Sequence, residues 1–350
     1  MIAKITRKIG LFIVLLGLGF SAQAQDIHFS QFYMSPLNLN PAFTGVMNCN
    51  GRVSGNYRNQ WASILKNNAF STFSASYDQK IPVGRSDYFG AGITLWRDQA
   101  GSLGFGTMQA RLSGSYSKKM GGYRGKAHYF VIGAEGGYSQ RSIDFTKAQW
   151  GNQYNGSGGH DAGLSHYEDW SREQFGFMDV GAGLLWFSVF DDMTSFHIGG
   201  SYHHINRSNV SFSPEDSTPM YSRISGHAGG EFMLTDRVGL SPKIVAFFQG
   251  PSKEINGGTN LKFVLGNNKF FYQAVQFGMW ARIANKLEGT HMDALILTTR
   301  FDYDQFSLGF SYDVNTSLLR RATNGNGAFE FSLAYKICGP ERRGVYCPNF

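Results

Sequence analysis

Near the C-terminal end, Phe329, Phe331, Leu333, Tyr335 and Ile337 alternate with Glu330, Ser332, Ala334 and Lys336. Residues 306–313 repeat the pattern, setting Phe306, Leu308, Phe310 and Tyr312 against Ser307, Gly309, Ser311 and Asp313. Strict period-two alternation predicts a strand with one apolar and one polar face. A soluble sandwich shows it in a few strands. Here it recurs over 51–61, 69–79, 87–98, 104–118, 127–142, 176–188, 193–205, 222–234, 237–248, 254–265, 271–282, 292–302, 304–314 and 327–338. Most of these segments slightly exceed the roughly 9–11 residues of a tilted membrane strand, and their even number suits a single-chain bacterial barrel. The predicted fold is all-β: a transmembrane antiparallel β-barrel of about 14 strands.

Connection lengths orient it. Short links carry Asp191-Asp192, Thr235-Asp236, Gly266-Asn267-Asn268 and Tyr303, whereas 143–175, 206–221, 283–291 and 315–326 are longer; 80–86 and 119–126 are short links that are not minimal. Short turns of such barrels are periplasmic, so both termini are expected in the periplasm and the long loops outside. The same parity turns Arg52, Ser54, Asn56, Arg58 and Gln60 inward, with Arg111, Glu135, Glu231, Arg282, Arg300 and Glu330. Inside a barrel these read as lumen-filling ion pairs, because buried charges are paired.

The first 24 residues do not fit the strand pattern. Lys4, Arg7 and Lys8 precede the apolar run Ile9 to Phe20 and then Ala22-Gln23-Ala24, the layout of a secretory signal peptide cleaved after Ala24. The run is too short for a spanning helix, which needs roughly 20 residues. No later stretch is longer, so the mature chain is either soluble or crosses a membrane as strands. Residues 25–50 hold Pro36, Pro41 and many apolar side chains, too many for free disorder. They are expected to form a plug in the periplasmic mouth or lumen. The barrel is assigned to 51–338, and 339–350 to a periplasmic tail.

Composition agrees with strands: 44 Gly, 30 Phe and 17 Tyr stand against 9 Pro and 16% charged residues. A mean hydropathy of −0.25 does not decide between soluble and membrane forms, since a barrel apolar outside and polar inside averages to such a value. Without the three basic residues of the leader, the net charge of +7 falls to +4, too mild to indicate a nucleic-acid partner.

Candidate chemistry is sparse. Three cysteines allow one bridge in an oxidising compartment: Cys49 with Cys338 where the first and last strands meet, or Cys338 with Cys347, or free thiols. There is no His-Glu-x-x-His, Gly-x-Ser-x-Gly, complete Gly-x-Gly-x-x-Gly or phosphate loop, so neither an enzyme nor a cofactor is expected. Adjacent His203 and His204 should face opposite sides of a strand, a poor metal arrangement. They and His160 and His166 read as rim or loop histidines. The 143–175 loop carries Trp150, Tyr154, Tyr167 and Trp170 among Gly, Asn and Ser, which suits protein contact or a loop folded over the pore.

One block is more specific. Gln25-Asp26, His28-Phe29-Ser30-Gln31-Phe32-Tyr33, Ser35-Pro36 and Leu39-Asn40-Pro41-Ala42-Phe43-Thr44-Gly45 resemble the opening of the PorP/SprF family of the Bacteroidetes type IX secretion and gliding machinery. The likeness continues in Asn56-Tyr57-Arg58-Asn59-Gln60-Trp61 and Ala328-Phe329-Glu330-Phe331-Ser332-Leu333-Ala334-Tyr335. It marks Gln31, Tyr33, Pro36, Asn40, Pro41, Gly45, Tyr57, Arg58, Gln60 and Trp61 as family positions. The resemblance implies an outer-membrane barrel related to long-chain fatty-acid transporter barrels. It also implies a role in holding secreted cargo, such as the C-terminal domain of a large surface adhesin, or in linking to periplasmic ring lipoproteins, with outer-membrane lipid around the wall. A transporter of hydrophobic small molecules is the alternative, against which the polar face of the first strand argues. A lipid hydrolase would need a Ser, His and acid or amide on the lipid-facing wall, which cannot be assembled.

Overall fold

Alternation becomes architecture because each strand's unsatisfied backbone edge is met by the next, and closure leaves no edge at all. In the computed structural model, which describes residues 26–122, 126–157, 159–161, 163–165, 172–191, 194–268, 271–286, 289–317 and 320–339, the fourteen strands are β1 (Gly51–Gln60), β2 (Phe70–Val83), β3 (Asp87–Ala100), β4 (Phe105–Gly121), β5 (Ala127–Ser142), β6 (Gln174–Asp191), β7 (Thr194–His203), β8 (Arg223–Met233), β9 (Val238–Gln249), β10 (Ser252–Asn268), β11 (Phe271–Lys286), β12 (Gly289–Tyr303), β13 (Phe306–Asn315) and β14 (Asn326–Ile337). Each pairs antiparallel with its sequence neighbours, and β1 closes on β14 from Gly51↔Ile337 to Gln60↔Ala328. The leader, His166, Tyr167, Trp170, Cys347 and the tail from 340 lie outside the described residues.

One face of the ladder is apolar all the way round. Val53, Phe73, Ile93, Leu112, Ile132, Leu184, Ile198, Ile244, Phe277, Leu297, Phe310 and Phe331, one from each of twelve strands, are all exposed on the outer wall. A soluble protein does not leave such a continuous belt in water, whereas lipid covers it. No described helix is long and apolar enough to cross a membrane.

Several strands outrun the alternating pattern. β2 continues to Val83, β4 to Gly121, β6 spans 18 residues, and β11 and β12 extend to Lys286 and from Gly289. The link expected over 283–291 is therefore mostly strand, and the links at 80–86 and 119–126 shorten to residues 84–86 and 122–126. The reason is physical: beyond the bilayer both faces meet polar surroundings, so side-chain alternation fades while backbone pairing continues. With that correction every link at one end of the barrel is short, and the long connections, after β5 and after β7, share the other.

At the short-turn end Cys49 and Cys338 form a disulfide, Cα atoms 4.4 Å apart, just past the β1–β14 pair. It ties residues 289 positions apart, where the loss of unfolded-chain freedom is large. Reduction is expected to lower stability by about 2–5 kcal/mol, read as a lower urea midpoint with a reducing agent than without.

Candidate functional site: the plugged lumen and its outer mouth

The lumen is occupied by the chain itself. From Phe29 to Met47 every residue is buried, through a short helix α1 (Pro36–Leu39) and two single-turn 3₁₀ segments, Phe32–Met34 and Pro41–Phe43. Proline at the start of α1 and of the second turn fits positions whose N–H has no helical partner. The direction of travel corrects an expectation. Asp26 sits beside His204, Arg223 and Gln249, which end or begin strands at the long-loop end, while Cys49 sits at the short-turn end. From Asp26 the chain thus descends through the lumen from the long-loop end to the short-turn end, its polar groups meeting partners on the inner wall.

Those partners are ionic and specific. Glu330 accepts the backbone N–H groups of Ser30 and Gln31 at 2.7 and 3.0 Å. The Ser30 hydroxyl donates to Asp313 at 2.8 Å and accepts from Arg58 and Arg282. Both guanidiniums also donate to Asp313 at 2.9 Å. Two arginines and two carboxylates from four strands thereby grip one serine of the plug. Lower down, the Gly45 N–H donates to Asp78, which is paired with Arg52 at 2.9 Å. Gly45 has φ +72° and abuts Gly90, a place only glycine fits.

A second grip holds α1. Arg111 donates to Glu135 at 2.9 Å and to the Asn38 side chain at 2.6 Å; His203 also bonds Glu135, at 2.7 Å. Asn40 caps the turn by accepting from the Ala42 N–H and donates to the Leu184 and Gly200 carbonyls of β6 and β7. Tyr33 stacks on Trp280 at 5.2 Å and receives a hydrogen bond from Asn260. Close approach is made possible by wall glycines: a Cβ on Gly133 would lie 2.5 Å from the Ala42 nitrogen, and one on Gly309 would strike the Gln31 amide.

Of the remaining singled-out residues, Arg300 pairs with Asp302 at 2.8 Å and Glu231 with Lys262. Tyr57 lies on the apolar outer wall, half-buried Gln60 ends β1, and Trp61 adopts a left-handed turn at the long-loop end, packed on Phe70. Trp150 is half-buried in the long loop and Tyr154 exposed; the structure does not bring them to the plug. Asp313, Asp26 and Asp78, the acids that complete the grips, were not among the singled-out positions. Asp313 was visible as an acid on the inward parity of its strand.

His203 and His204 correct another expectation. Both are buried in the lumen, because β7 ends at His203 and His204 takes φ +57°, which turns it back to the same side. His204 bridges Asp179 at 2.8 Å and Asp26. Burial alone opposes the imidazolium, but Asp26 and Asp179 outweigh it and raise its pKa to about 10. Burial alone would raise Asp26, but His204 and Arg223 hold its carboxyl well below the usual range. The raised histidine stabilises fully below its ordinary 6.5 and loses that contribution as pH climbs through about 10; the depressed aspartate stabilises above its ordinary 3.8 and loses it on acidification. Protection of residues 26–29 against hydrogen exchange is therefore expected to be highest between these limits and to fall on going to pH 10, after correction for the intrinsic exchange rate. Protection that does not decline would show that the latch is not ionic.

Above the plug lies a blind pocket of about 270 Å³. Two neighbouring register rows supply its wall: Asp98–Thr107–Arg141 and Trp96–Gln109–Ser139–Phe177. Asp26 and Ile27 lie at its base, and Phe212, Met220 and Tyr221 of the β7–β8 loop close its far side.

Comparison with known proteins places this geometry. Solved structures similar to the chain include the toluene transporter TbuX of Ralstonia pickettii, with a TM-score of 0.45 at 15% identity, covering 86% of this chain and 92% of that one. BamA of Haemophilus ducreyi lacking POTRA domains 1–3 gives 0.37 at 10% identity, covering 82% and 70%. No curated protein matches. The family model for the type IX secretion system membrane protein PorP/SprF matches residues 21–335, across the plug and nearly the whole barrel. The chain belongs to the PorP/SprF family of type IX secretion system membrane proteins.

Proposed function

We propose that the protein is a closed outer-membrane anchor: it holds exported cargo, such as the C-terminal domain of a large surface adhesin, at its outer mouth and does not conduct solutes. The observation that supports this is the filled lumen. A transporter needs a path, and here the path is taken by a segment fastened by buried hydrogen bonds to ion-paired residues of the wall, and buried hydrogen bonds to charged groups are costly to break. What stays open is a pocket among the long loops, on the side where exported protein arrives.

The test is co-purification. The tag belongs at the C terminus, because the N-terminal region lies inside the lumen. Extraction in mild detergent is expected to recover one large surface protein, lost when that protein's C-terminal domain is deleted. Recovery of periplasmic ring lipoproteins instead would move the working face to the short-turn end. A barrel carrying only lipid would overturn the anchor and revive transport of hydrophobic molecules.

A further inference from the structure

Every other arginine that lines the lumen has a carboxylate: Arg52, Arg58, Arg111, Arg223, Arg282 and Arg300 each lie within 4.0 Å of one. Arg141 does not, among the described residues. Its guanidinium rests over the rings of Phe105 and Phe177 at 5.5 and 5.8 Å, and its one hydrogen bond among the described residues runs from Nε to the Thr107 hydroxyl at 3.3 Å. Arg141 lines the outer-mouth pocket, and among the described residues its two terminal nitrogens make no hydrogen bond. An unpaired, half-buried guanidinium among aromatic rings is a ready receptor for a carboxylate, which it can bind through two parallel hydrogen bonds.

We propose that the pocket receives the C-terminal residue of a polypeptide, its free carboxylate on Arg141 and its apolar or aromatic side chain against Trp96, Phe105, Phe177 and Phe212. This rests on the anchor reading and names the part of the cargo that enters.

Asp98 selects among carboxylates. It stands in the same register row, two strands from Arg141, bonded to the Thr72 hydroxyl at 2.6 Å and without a cationic partner among the described residues. A fatty acid offers that oxygen no donor; a peptide offers backbone N–H groups. The volume of about 270 Å³ falls just under the roughly 300–1,000 Å³ of sites for drug-sized ligands, which suits one large residue and part of the next. Among the described residues the pocket is floored by Asp26 and Ile27, so the ligand stops there.

The test uses the full-length protein in detergent and the acetylated tripeptide Ala-Ala-Phe, as free acid and as C-terminal amide, followed by calorimetric titration. The acid is expected to bind at least tenfold more tightly than the amide. Arg141→Gln should erase that difference and Arg141→Lys keep part of it, with unchanged heat-modifiable gel mobility showing that both variants fold. Equal binding of acid and amide, or no binding of either at millimolar peptide, overturns the proposal. Cargo recovery separates the two readings. If the wild type retains its surface protein and Arg141→Gln retains as much, the pocket assignment falls and the anchor stands. If the wild type retains none, the anchor falls whatever the peptide does.

Discussion

Replacing Asp313 with alanine is expected to cost about 3–5 kcal/mol, the usual effect of removing one partner from a buried ion pair. The carboxylate serves three groups at once, the Arg58 and Arg282 guanidiniums and the Ser30 hydroxyl. Its loss leaves two buried cations sharing Glu330 and Glu254, at 3.5 and 3.7 Å, and frees the plug where Ser30 is held. The urea midpoint should fall, and limited proteolysis should cut residues 26–47 before any strand. Asp313→Asn, which keeps the shape but not the charge, should fall between. An alanine variant as stable as the wild type would mean that the grip contributes nothing net.

The second large effect concerns the seal. Gly133→Val puts a side chain where the Ala42 backbone now lies, its Cβ 2.5–2.6 Å from the Ala42 nitrogen and Cα and the Pro41 carbonyl carbon. Backbone cannot swing aside as a flexible side chain can, so the plug must shift. The wild-type barrel is expected to be silent in planar bilayers and Gly133→Val to conduct. Gly136 on the same strand has nothing within 4 Å of its added Cβ, so Gly136→Val is the control and should stay silent. Conductance by the wild type would contradict a filled lumen outright.

Much of this was legible in the residues. Period two survives in a membrane strand because lipid and lumen impose opposite demands on successive side chains, and so β13 and β14 could be read from Phe306 to Ile337 with little error. The inward charges were legible by the same parity, though not their pairing. Arg111 and Glu135 were both marked inward, yet nothing in the chain indicated that Asn38 and His203 would share them. Pairing depends on register across strands far apart in sequence, as when Arg58 meets Glu330. The misplaced features share a cause. His204 breaks the alternation through one left-handed residue, and Asp26 reaches the outer end because the plug has no period from which to read its course. The pocket is a third case, assembled from rows that run across three or four strands.

If cargo is held at the outer mouth of a closed barrel, the long loops touch it and the short turns do not. A photo-crosslinking residue at Tyr154, exposed in the long loop, and another at Arg85, exposed in the short turn after β2, can be illuminated in living cells. A large surface protein is expected to be joined to position 154 and none to position 85. Crosslinks to periplasmic proteins at position 85, with nothing captured at 154, would contradict it.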